Sequence, residues 1–98
     1  MLDQLKPDLL ASHIGTTFDI LNDPANVFSL TLKSVVEHEK TKHNQAFSLF
    51  FHGPPTPFLH QAIYTLKHTE LGEFEIFLVP VTREQDGFEY EAVFTRMF

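Results

Sequence analysis

Apolar residues recur at every second position through much of this chain, most plainly from Tyr64 to Pro80, YTLKHTELGEFEIFLVP. Tyr64 and Leu66 alternate with Thr65 and Lys67, and after a short turn ending in glycine Phe74, Ile76 and Leu78 form a second set. Alternation of this kind is the signature of a strand with one face in a core. In the second segment Phe77 and Val79 are apolar as well, which predicts a central strand covered on both faces. Pro80 has no N–H to give a ladder, so it marks that strand's end or a bulge.

The remaining pattern is read in the same way. Lys6 to His13 reads as a short helix, with Pro7 at its first position, Leu9 and Leu10 on its apolar side and Gly15 as its stop. TTFDIL at 16–21 is a first strand, and Asp23-Pro24-Ala25-Asn26 a turn. VFSLTLKSVV at 27–36 puts Phe28, Leu30 and Leu32 on one face; the phase then breaks at Ser34-Val35-Val36, which predicts a bulge there. EHEKTKHNQ at 37–45 is wholly polar and reads as the longest loop. FSLFF at 47–51 turns Phe47, Leu49 and Phe51 inward and leaves Phe50 on the other side. Gly53 to Pro57 breaks regular structure, Gln85-Asp86-Gly87 is a hairpin turn, and Phe88 to Phe98 is the last strand.

About six consecutive strands with short turns and one small N-terminal helix predict a mainly β fold, an antiparallel meander closing into a small barrel or sandwich. With 98 residues the chain is a single domain, residues 1–98. Hydrophobic residues make up 43%, which excludes a disordered chain, and the 11 phenylalanines imply either a Phe-rich core or a Phe surface for a partner. The net charge of −6 and the scattered basic residues argue against nucleic acid. No apolar run approaches a membrane span, and the start lacks the apolar stretch of a signal peptide. Cytoplasmic location is the default expectation, with export lacking a cleaved signal left open.

Candidate chemistry changes this picture little. His38 and His43 share the polar segment with Glu37 and Glu39, but a flexible loop does not hold ligands at fixed geometry, so no metal site is assigned. His68 continues the Tyr64 and Leu66 face; it is read as a buried imidazole hydrogen-bonded near the turn, with acid–base or pH-sensing chemistry as the functional alternative. Glu89 and Glu91 point the same way about 7 Å apart, on the face that alternation predicts to be solvated. Arg96 falls in phase with the inward Tyr90, Ala92 and Phe94, and is expected to find an acidic partner at the rim. Phosphate loops, nucleophile elbows and zinc frameworks are missing from the sequence, so neither a catalytic residue nor a cofactor is assigned. The surplus apolar residues are the stronger functional signal: Phe50, Phe58, Phe77 and Phe98 are candidate interface residues.

The strings F-x-G-P at 51–54, Y-x-L-x-H at 64–68, L-G-x-F-x-I-F-L-V-P at 71–80 and Y-E-A-V-F-x-R at 90–96 resemble a family of short bacterial domains of unknown function. G-x-T-F at 15–18 and F-x-L-x-L at 28–32 add a weaker match. The resemblance implies no catalytic residues; its loose association with phage-tail-like, collar-type proteins implies a small structural or assembly accessory. The expected function is therefore a non-enzymatic protein-interaction or assembly module, whose partner is another protein or a second copy of itself. The alternative is a small-molecule binder or minor enzyme at the barrel mouth, using Tyr64, His68 and Arg96. A third reading, a recognition domain using the 37–45 and 53–58 segments, is not separated from the first by the sequence.

Overall fold

The computed structural model describes residues 7–21, 29–56 and 58–97, without the side chains of Glu39, Arg96 and Met97. Helix α1 (Pro7–Ala11) is followed by six strands: β1 (Thr17–Ile20), β2 (Ser29–Lys40), β3 (Asn44–Gly53), β4 (Ala62–His68), β5 (Gly72–Glu84) and β6 (Gly87–Met97). They form a closed barrel in the order β1-β2-β3-β6-β5-β4, with every pair antiparallel. A barrel is therefore what the alternation builds, and closure leaves no strand at the edge of an open sheet.

The topology is not the simple meander that the sequence suggests. Two three-stranded meanders, β1-β2-β3 and β4-β5-β6, join along the β3–β6 and β1–β4 seams. The Pro-rich strap of residues 54–61 carries the chain from one meander to the other. Local turn signals report that strands are joined, whereas which strands become neighbours is decided by closing the core.

Alternation places the core as expected. Phe18, Leu30, Leu32, Phe47, Leu49, Phe51, Leu66, Leu78, Tyr90 and Ala92 are buried, with Phe74 and Ile76 nearly so. Phe18 meets Phe51 and Phe74 edge-on, and Phe47 stacks on Phe94 at 5.1 Å. Leu10 of α1 and Leu59 of the strap are also buried in this cluster. The barrel is thus filled by side chains, as a six-stranded barrel must be.

Several expectations are corrected. The helix is shorter than 6–13, and Leu10 alone of its two leucines reaches the core, while Leu9 is exposed. Gly15, at φ 92°, ends the turns that follow, a conformation suited to glycine. Residues 37–45 are not one long loop: β2 runs on to Lys40, β3 resumes at Asn44, and only 41–43 separate them. Their polar side chains suit a strand here because most of them are exposed on this extension of β2 and β3, which β6 continues. The bulge predicted at 34–36 lies one residue earlier, at Lys33, and a second falls at His38. β5 is not covered on both faces, since Phe77 on its outer side is exposed. Pro80 does sit beside a bulge, with the register shifting between Pro80 and Thr82. The 23–26 turn, Phe28 and Phe98 lie outside the described residues.

Candidate functional site

His68 ends β4 with its ring turned into the barrel, against Phe18 at 4.5 Å between centroids. Its Nδ1 accepts the backbone N–H groups of Glu70 at 3.0 Å and Leu71 at 3.3 Å, capping the β4–β5 turn. That nitrogen is therefore unprotonated, and Nε2 carries the proton and donates it to Thr16 Oγ1 at 3.0 Å. The Thr16 hydroxyl donates onward to the His13 carbonyl at 2.6 Å. The His13 ring stands edge-on to His68 at 4.8 Å, with its Nε2 3.6 Å from Glu70 Oε2. Burial lowers the His68 pKa from 6.5, and the neighbouring His13 adds to the shift, against a smaller opposing effect of Glu70. The imidazole is the neutral joint between the α1–β1 connection and the β4–β5 turn. Beside it lies a cleft of about 170 Å³, lined by His13, Thr16, Asp19, Lys67, His68 and Glu70 among others.

Of the three candidate ligand-binding residues, Tyr64 stands apart from the cleft, and the side chain of Arg96 lies outside those described. Tyr64 lies four residues back along β4, about 13 Å by strand rise, and its hydroxyl donates to the His60 carbonyl at 2.7 Å. Arg96 takes its place in β6 opposite Gln45 on β3. Of the two whose side chains are described, the cleft takes in His68.

The bulges redirect two other polar residues onto the outer wall. Lys33 reaches Glu89 at 2.7 Å and Glu84 at 3.1 Å, and His52 Nδ1 donates to Glu84 at 3.1 Å. His52, and next Lys33, lowers the Glu84 pKa. At the second bulge His38 Nε2 lies 2.6 Å from the Ser48 hydroxyl, which donates to Glu91 Oε2 at 2.6 Å. Because the serine gives its proton to the carboxylate, His38 is the donor in its own contact with Ser48. The serine stands between histidine and glutamate, whereas a nucleophile's histidine stands between serine and carboxylate; this trio clamps β2, β3 and β6 together. Glu89 and Glu91 thus each have a separate partner rather than forming a solvated pair. Alternation could not reveal these trios, because both begin at bulges, where alternation fails.

The outer wall carries the remaining feature. Ile63 on β4 pairs with Phe77 on β5, while Val36, Ser48 and Val93 pair in turn across β2, β3 and β6. Phe77 and Val93 each lie two residues beyond the Val79–Glu91 pair that joins β5 to β6. The fractional exposures of Ile63, Phe77, Val93 and Val36 are 61%, 47%, 60% and 41%. Of the candidate interface residues, Phe77 belongs to this wall, and Phe58 is exposed on the strap with its ring edge-on to Phe88. Phe50 is half-buried between Ser34 and Glu91. Ile63, Val36 and Val93 are exposed there as well; their signal in the sequence was apolar residues out of phase with the core. No helix among the described residues is long and apolar enough to cross a membrane.

The family model described as Domain of unknown function (DUF6916) matches residues 5–94, and the chain belongs to that family. No curated protein and no solved structure matches the chain.

Proposed function

We propose that this member of a family without an assigned activity is a non-enzymatic protein-interaction or assembly module, working through the outer wall of its barrel. The observation that carries the reading is two exposed apolar groupings on the outer wall, Ile63 paired with Phe77, and Val36 and Val93 flanking Ser48, on a barrel whose interior is already filled. Exposed apolar side chains grouped in this way mark protein interfaces. The assembly suggested by the family resemblance is a phage-tail-like particle, with this chain as an accessory. The test is co-purification from the native host, comparing the wild type with Ile63→Ser/Phe77→Ser after circular dichroism has established an unchanged fold. A chain identified by mass spectrometry, or a second copy, held by the wild type and lost by the variant supports the reading. Equal retention by both overturns it.

The cleft beside His68 favours a second reading, binding of a small polar ligand between Asp19, Lys67 and His13. Chemical-shift changes confined to those residues on titration with a panel of small metabolites would favour it over the first.

A further inference from the structure

Although the barrel closes, several stretches of strand pair on one side alone among the described residues. They include β2 beyond Lys33, β5 before Val79 and β6 beyond Glu91, besides the start of β4 and the end of β5, where Pro80 and its bulge interrupt the edge. An unpaired stretch of strand is a template for another strand unless something blunts it. The first two are blunted. On β2 there are bulges at Lys33 and His38, the charged run Glu37 to Lys40, and α1 packed against the strand. β5 carries exposed Glu73 and Glu75. The third is not: β6 pairs with β3 from Phe88 to Met97 without a register shift. From Ala92 to Thr95 it has no charge, no proline and no bulge, and Val93 is among the most exposed apolar residues of the protein.

We propose that the β6 edge from Ala92 to Arg96 pairs with the same edge of a second copy, joining the two barrels through a continuous antiparallel sheet. A two-fold axis perpendicular to the sheet keeps outward residues on the same side, so residues of equal parity meet. Centred on Phe94, it sets Val93 opposite Thr95 and Ala92 opposite Arg96, with no like charges facing. Applied to β2 and centred on His38, the same operation sets Glu37 opposite Glu39. β6 tolerates its own copy where β2 repels it. The long dimension of the molecule, 42 Å against 26 and 23 Å, fits strands that extend past the barrel and leave this edge accessible.

The inference rests on the assembly reading and deepens it by naming the partner. The test is light scattering across a concentration series to the millimolar range, on the wild type, Val93→Lys/Thr95→Lys and Val93→Glu/Thr95→Glu. Both positions are exposed on the outer face, and circular dichroism checks that the variants fold. The wild type is expected to approach twice 11.3 kDa. Each like-charged variant should raise the dimer dissociation constant about tenfold or more, because the new charges oppose each other. An equimolar mixture of the two variants should restore the dimer. A wild type that stays monomeric, or a lysine variant that dimerises like the wild type, overturns the proposal. The Ile63/Phe77 variant reads the assembly hypothesis separately: a partner lost from it while the wild type stays monomeric overturns the edge proposal and leaves the broader reading standing.

Discussion

The core receives a single leucine from each of two segments outside the strands, and each segment is held by one buried polar ring. Leu10 enters from α1, and the connection after it is tied down by His68 through Thr16. Leu59 enters from the strap, and its backbone N–H donates to the Tyr90 hydroxyl at 3.0 Å. The difference lies in titration. Burial raises the Tyr90 pKa above 10, so that phenol keeps its proton throughout the physiological range, whereas burial lowers the pKa of His68, whose closure is made by the neutral imidazole. The strap is a permanent closure, while the α1 side is one that acid weakens. One barrel can be held shut in two ways that differ only in the ring chosen.

The comparison is broken most severely by removing the leucines. Leu10→Ala is expected to cost about 2–5 kcal/mol by urea unfolding, since it leaves a cavity in a fully buried site. Leu59→Ala should cost less within that range, because Leu59 retains some exposure and its site can relax.

Next in size is the loss of a ring's polar contact. Tyr90→Phe should destabilise by about 1–3 kcal/mol, by leaving the Leu59 N–H buried without its acceptor. The cost should be the same at pH 5 and pH 8. Pulsed hydrogen exchange at Leu59 would locate the loss.

The pH dependence sharpens the contrast. Well above pH 6.5 His68 is neutral in both folded and unfolded chains, and its contribution to stability is complete. As pH falls below 6.5 the unfolded chain takes up a proton that the folded site refuses, so stability declines until the lowered folded pKa is passed. Urea midpoints should fall across this window in the wild type, and the part contributed by this site should vanish in His68→Phe. His13, Glu70, Asp19 and Lys67 face the same cleft, so the NMR titration of His68 itself identifies the group. An unshifted His68 pKa would sink the distinction between the two closures.

The smallest effect belongs to the outer wall. Lys33→Met removes ion pairs to Glu84 and Glu89 at an exposed position, and the urea midpoint should stay within measurement error.

Much of the molecule was legible because a strand in a barrel is still a strand. Phe47, Leu49 and Phe51, or Leu66 and His68, face inward wherever their strand sits, since the two-residue period is local. His68 was placed on the correct face, near the correct turn, for that reason. The polarity of the 37–45 segment suggests a loop, yet main-chain pairing to β3, itself paired to β6, holds the end of β2 extended without apolar side chains. Tyr64 and His68 share one face of β4, while four residues of strand separate them.

By itself, then, the sequence determined most inward and outward positions, a glycine turn at Gly15 and the irregularity at Pro80, all set by local backbone and side-chain geometry. Only the tertiary structure decided that β3 neighbours β6, that Lys33 and His38 are the bulged residues, and that Val36 and Val93 flank Ser48 while Ile63 pairs with Phe77. Those outcomes depend on how strands distant in sequence align to fill a common core, and no local period carries that alignment.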